Sequence, residues 1–421
     1  MPGGKLINFE PLVQQMEALI FFIGLLVLLG ILVVPLSQRI GAPILLVVLL
    51  MGMLLGEDGP GGIQFSDFSM AYAIGSLALA VILFAGGLET DVRKTRGARV
   101  PSIVLATLGV LVTAIVVGLF AAPILNVPIE VALLLGAVVA STDAAATFLL
   151  IQQGGVAVSD RLRNTLILES GLNDPVAIFL TVTLTALVDS GAVLSADSLL
   201  AKLPLLGVQV GVGIAVGIVG GWLSSVLLDR MSLPQGLHPP LALVCGLIVY
   251  SGTALVGGSG FLAVYLCGLV IASHTKRPID RVLHFNEALQ WLSQISLFLM
   301  LGLLVTPSGL MERAPQALMI AAALMFVARP LAVALCVAFF GFRWKETLFL
   351  GWVGLRGAVP IFLAIFPVVT PGPVTVEFFN IVFVVVVASL LLQGTTIGLF
   401  ARLLGLSGGP RPRSASKQAT D

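Results

Sequence analysis

Residues 162–188 read LRNTLILESGLNDPVAIFLTVTLTALV. The stretch is long and apolar enough to cross a bilayer, which takes about 20 residues. Yet its middle reads Glu169-Ser170-Gly171-Leu172-Asn173-Asp174-Pro175. Two carboxylates and a proline at membrane depth are costly, and ionisable groups there usually mark ion or proton pathways. The rest of the chain supports a membrane setting. Its 421 residues are 58% hydrophobic and 10% charged, whereas soluble domains carry about 25% charged residues. No soluble fold of this length hides so much apolar surface. The chain reads as an all-α polytopic membrane protein.

Working outward, continuous apolar runs predict thirteen spanning helices near 16–37, 41–56, 70–88, 100–122, 129–151, 162–188, 204–229, 239–257, 260–273, 287–305, 315–340, 347–369 and 376–402. Continuous rather than alternating runs exclude outer-membrane strands. The N-terminus lacks the basic region and small-residue cleavage site of a signal peptide, so the first span is expected to persist as a helix. A net charge of +1 gives no reason to expect nucleic acid. Cys245, Cys267 and Cys336 are scattered through apolar runs, which suggests neither disulfides nor a metal site. His238, His274 and His284 fall in or near loops.

Basic residues orient the bundle. With the N-terminus outside, the cytoplasmic connections and tail hold 17 of the 22 Lys and Arg residues, among them Arg39, Arg93 to Arg99, Arg161, Arg163, Arg230, Lys276 and Arg343. The outside keeps Lys5, Lys202 and Arg313, and only Arg329 and Arg356 remain inside the membrane.

The spans also suggest a repeat. The second and ninth are short and bounded by small residues. The fifth and twelfth carry a mid-span charge among small residues, in Ala140-Ser141-Thr142-Asp143-Ala144-Ala145-Ala146 and Gly354-Leu355-Arg356-Gly357-Ala358-Val359-Pro360. Each pair is seven spans apart, so the second copy would be inverted. The expected organisation is a tail (1–15), a first six-helix repeat (16–188), a linker helix (189–238), a second repeat (239–402) and a cytoplasmic tail (403–421). Inverted repeats with interrupted helices in matching positions point to a secondary transporter with its site at the midplane.

Residues four apart share a helix face, so Ser170 and Asp174 point together, as do Glu169 and Asn173. Pro175 frees the carbonyl of Gly171. Carboxylate, hydroxyl and carbonyl oxygens so placed suit a monovalent cation. Asp174 can hold a proton or a cation but not both, which is the basis of cation/proton exchange. Two broken helices expose partial charges at their ends. Asp143 suits the positive ends and Arg356 the negative ones, while Thr142 offers the ion a hydroxyl or carbonyl. For Asp143, dipole compensation and ion contact weigh equally. Glu169 reads as an anchor paired with Arg356 or Arg329 rather than as an ion ligand. Gly86-Gly87 and the glycines of the seventh span read as helix-packing positions.

Taken together, these three motifs resemble NhaP-type potassium or sodium/proton antiporters of the monovalent cation:proton antiporter-1 family, over roughly residues 15–405. The resemblance implies a homodimer in the inner membrane, with a core containing the fifth and twelfth helices that moves against a dimerisation domain. It implies an ion site at Asn173 and Asp174 lined by Thr142, Asp143 and Ser170. It also implies electroneutral exchange, because one carboxylate stands beside an asparagine. Segments 3 and 12 and Val264-Tyr265-Leu266-Cys267-Gly268 look closest to the potassium/proton subgroup. Two features depart from it. Many relatives carry an acid where Ala85 stands, and the subgroup often continues into a cytoplasmic regulatory domain, whereas this chain stops at Asp421. No cofactor is expected beyond the transported potassium or sodium and the proton; the partners are the bilayer and a second copy. The alternatives are a sodium-selective antiporter, an intramembrane aspartyl protease using Asp143 and Asp174, a cation channel and a symporter of similar fold. The protease lacks its Gly-x-Gly-Asp motif, and the channel lacks a carbonyl-rich filter loop.

Overall fold

The structure, a computed structural model, describes residues 43–90, 97–143, 158–191 and 196–406, together with 24–35 and positions 17, 20, 21, 147 and 151. Ala144, Ala145 and Ala146, the basic residues Arg39, Arg93, Lys94 and Arg96, and both terminal tails lie outside the described residues.

The described chain is helical: α1 (Gly24–Pro35), α2 (Ile44–Leu55), α3 (Phe68–Glu89), α4 (Arg99–Leu125), α5 (Ile129–Val138), α6 (Asp160–Asp189), α7 (Ala196–Arg230), α8 (His238–Leu255), α9 (Gly260–His274), α10 (Asp280–Leu303), α11 (Ala314–Val337), α12 (Trp344–Trp352), α13 (Ala358–Val369) and α14 (Val376–Leu403). Of these, α3, α4, α6, α7, α8, α11 and α14 are long and apolar enough to cross a membrane, while α1, α2, α5, α9 and α13 are shorter apolar helices. The expected span 287–305 extends back to Asp280 through a polar turn, as α10.

Local chemistry sets several helix starts. Asp67 accepts the Met70 N–H at 2.9 Å to begin α3. Ser159 and Ser259 accept the N–H groups of Leu162 and Leu262 to begin α6 and α9. Each cap satisfies an otherwise unpaired terminal donor. Pro175 sits within α6 without ending it.

The helices form two groups. In one, α2 and α3 pack on α10 and α9, with α7 and α8 outside them; in the other, α4, α5 and α6 pack with α11 to α14. Close approach within the first group depends on glycine. A Cβ at Gly52 of α2 would overlap the backbone of Leu299 and Gly302 in α10, and one at Gly87 of α3 would overlap the Tyr265 carbonyl in α9. Small residues permit such contacts where hydrophobic association is weak. The two groups meet through aromatic contacts at one end. Tyr72 stacks on Phe362 with centroids 5.3 Å apart, and Phe68 meets Phe379 edge-on at 5.3 Å. Toward the other end they diverge around a cavity of about 850 Å³.

Candidate functional site

The cavity ends where two interrupted helices cross. α5 stops at Val138, and the chain is non-helical over Ser141, Thr142 and Asp143 before Thr147, again helical. Likewise α12 stops at Trp352, and residues 353–357 are non-helical before α13. The breaks hold one another. The Asp143 N–H donates to the Leu355 carbonyl at 2.9 Å, and Thr147 Oγ1 donates to the Val353 carbonyl at 3.2 Å.

Each break exposes backbone groups that need partners. Arg356 Nη1 donates to the carbonyls of Ala140 and Ser141, both at 2.6 Å, beyond the C-terminal end of α5. Gln393 of α14 donates to the Trp352 carbonyl at 2.8 Å, and Ser389 accepts the Arg356 N–H at 3.2 Å. On the opposite charge, a Cβ at Gly357 would overlap the Asp143 carboxylate. That carboxylate therefore lies at the N-terminus of α13, where unpaired N–H groups and the helix dipole favour an anion. An arginine and an aspartate thus sit at complementary helix ends, each on the other broken segment.

α6 crosses this junction. Ser141 Oγ donates to Asp174 Oδ1 in a short hydrogen bond. Asn173 Nδ2 donates to Thr142 Oγ1 at 2.6 Å, and Thr142 Oγ1 lies 3.3 Å from Ser170 Oγ. Thr142, Asp143, Ser170 and Asp174 all line the cavity. Asn173 is fully buried and holds Thr142 in place. Ser141, absent from the site expected from sequence, is drawn in by the break after α5; its place beside Thr142 in the small-residue motif was the available signal.

Glu169 lies one position before Ser170 and is 1% exposed. Of its two possible partners, Arg329 takes the pair, with Nη1 2.5 Å from Glu169 Oε1. Arg329 immediately follows a π-helical turn in α11, Leu324–Ala328. Arg356 is instead engaged by the carbonyls at the break. At the Ala85 position of α3, a fully buried alanine contributes no charge to the cavity.

The comparisons agree with this architecture. Residues 24–403 match the family described as "Sodium/hydrogen exchanger, transmembrane". The chain is 46% identical over 394 residues to the K(+)/H(+) antiporter NhaP of Alkalimonas amylolytica, covering 93% of this chain and 68% of the relative. It is 43% identical over 404 residues to the K(+)/H(+) antiporter NhaP2 of Shewanella oneidensis, covering 95% of this chain and 70% of the relative. Its fold matches the sodium proton antiporter MjNhaP1 of Methanocaldococcus jannaschii with a TM-score of 0.80 at 24% identity, covering 93% and 99% of the two chains. These similarities leave the protease alternative without support. The chain belongs to the sodium/hydrogen exchanger family, whose members exchange monovalent cations for protons as transporters and not as enzymes.

Proposed function

We propose that the chain exchanges one monovalent cation, potassium in preference to sodium, for one proton at Asp174. One observation carries this reading: Asp174 faces the cavity at the crossing of the broken helices, and no basic side chain among the described residues pairs with it. Glu169 is neutralised by Arg329, and Asp143 lies at a helix N-terminus. A buried carboxylate must be neutralised, here by cation or proton in turn. Ser170 and Thr142 supply neutral oxygens beside it. With asparagine at 173, one charge replaces one charge, so exchange is electroneutral. The preference for potassium draws on the names of the relatives at 46% and 43% identity.

Two inverted repeats, 16–188 and 239–402, joined by the helix of 189–238, would supply the alternating movement. Matched contacts support them. Gly52 presses on Gly302 as Gly268 presses on the α3 backbone beside Gly87. Gly136 sits on Ala114 as Gly351 sits on Pro330. Corresponding residues are separated by the same interval along the chain to within one residue. The π-helical turns Leu105–Gly109 and Leu324–Ala328 fall within about one turn of matching positions.

With the N-terminus outside and the C-terminus in the cytoplasm, the cavity mouth, which includes Arg163 and Ser273, faces the cytoplasm. The aromatic contacts of Tyr72 and Phe68 then close the outer end. Displacing one helix group against the other would open that seal and close the mouth. The working unit is a homodimer in the inner membrane and needs no cofactor. The test is proton flux in proteoliposomes driven by lithium, sodium, potassium or rubidium gradients. Asp174→Asn should abolish exchange while leaving a folded dimer; retained exchange overturns the assignment. Strong acceleration by an imposed membrane potential would overturn the one-for-one stoichiometry.

A further inference from the structure

Tyr265 enters the site from the opposite helix group. Its helix, α9, packs on α3 and α7, yet its ring rests on Gly171 of α6. A Cβ at Gly171 would fall 2.7 Å from the Tyr265 hydroxyl oxygen. The hydroxyl therefore lies against the α6 backbone one residue after Ser170 and three before Asp174. Tyr265 lines the same cavity as both and is 1% exposed.

Among the described residues its hydroxyl has no hydrogen-bond partner. The Thr90 hydroxyl stands nearby, but the Tyr265 oxygen makes no hydrogen bond to it, and Thr90 donates its own proton to the Gly86 carbonyl at 2.7 Å. A buried hydroxyl left unpaired is costly, and in a native protein such a group requires an explanation. Here the explanation lies in the cavity. Asp174, Ser170 and Thr142 all come from one helix group, so their oxygens cover one side of a bound ion. Tyr265 brings a neutral oxygen with two lone pairs to the other side.

We propose that the Tyr265 hydroxyl is a cation ligand that sets selectivity toward the larger alkali ions. A small cation drawn against Asp174 and Ser170 leaves the Tyr265 oxygen out of reach. A larger one spans the gap between the helix groups and meets both sides. A proton on Asp174 gains nothing from this oxygen, so the ligand favours cation over proton.

The inference rests on exchange at Asp174, and its test separates the two. Tyr265→Phe removes the oxygen and leaves the ring on Gly171. In proteoliposomes it should raise KM for potassium and rubidium about tenfold, equivalent to about 1.4 kcal/mol, and KM for lithium less than about twofold. Because cation and proton compete, the acid limb of the pH profile at saturating potassium should move up by about one pH unit. Gly171→Ala, which displaces the hydroxyl without removing it, should shift selectivity the same way. If Tyr265→Phe leaves the four KM values and the pH profile unchanged, or raises all four equally, while Asp174→Asn abolishes exchange, the ligand role is overturned and the exchange reading stands. If the unmodified protein exchanges none of the four cations, the exchange reading itself falls.

Discussion

Glu169 and Arg329 form an ion pair in which both side chains are almost wholly buried, 1% and 3% exposed. Glu169→Gln leaves a guanidinium in an apolar interior with no carboxylate opposite. Breaking one side of such a pair typically costs about 3–5 kcal/mol, roughly two to four powers of ten in the folded population. Arg329→Gln should cost a similar amount, because it strands Glu169 instead. The double variant Glu169→Gln/Arg329→Gln strands neither charge, and two amides can hydrogen-bond across the same gap. Its loss should therefore be much smaller than the sum of the single losses. The assay is thermal unfolding of the three variants in detergent, analysed as a double-mutant cycle and followed by transport at reduced temperature. As an anchor rather than an ion ligand, Glu169 can be replaced in the double variant with the cation KM held near the wild-type value. Additive losses, with a coupling below about 0.5 kcal/mol, would refute the reasoning. So would a double variant that is as stable as wild type yet has lost cation affinity.

Further expectations concern the crossing and the loop between α2 and α3. Gly357→Ala would place a Cβ on the Asp143 carboxylate, so transport should fall by at least tenfold while the protein still assembles; near-normal flux would show that Asp143 can leave the α13 terminus without consequence. Arg356→Met leaves the carbonyls of Ala140 and Ser141 unpaired, and unsatisfied buried groups cost about 1–3 kcal/mol each. Arg356→Lys should recover part of that loss in thermal unfolding, and equal losses for both variants would argue against the carbonyl contacts. Asp58, between α2 and α3, accepts from the Ser308 hydroxyl at 2.5 Å and its N–H at 3.0 Å, which holds its carboxyl below the usual carboxylate range. A depressed value means this contact contributes above the unfolded carboxylate value of about 4 and is lost as pH falls through the folded value. The protection factor of the Ser308 amide against hydrogen exchange should fall only in that acid window; a falling protection factor on moving from neutral to alkaline pH would contradict it.

Much of this was legible in the sequence because the bilayer imposes a simple rule. Each span must be a long apolar run, and charges inside it stand out. Hence the expected spans coincide closely with α2, α3, α6, α8 and α14. For the same reason Asp143, Glu169, Asp174, Arg329 and Arg356 were recognisable without coordinates. Helix periodicity placed Ser170 and Asp174 together, and mid-span charges among small residues marked where α5 and α12 would stop.

Partnership between distant segments was not legible, because it depends on how helices cross. Arg329 and Arg356 are equally plausible partners for Glu169 in the sequence. The π-helical turn before Arg329 and the unpaired carbonyls beyond α5 decide between them. Ser141 looked like one small residue among several until the break turned its hydroxyl onto Asp174. Tyr265 belonged to an ordinary apolar helix until glycine at 171 let its ring settle against α6. Sequence alone determined that this is a bundle of membrane helices carrying a few costly charges, because burial of apolar length and isolation of charge are local properties. Only the tertiary structure decided which charges neutralise one another and that Asp174 meets the cavity at the crossing of the broken helices with no basic partner among the described residues, because those pairings join atoms far apart in the chain.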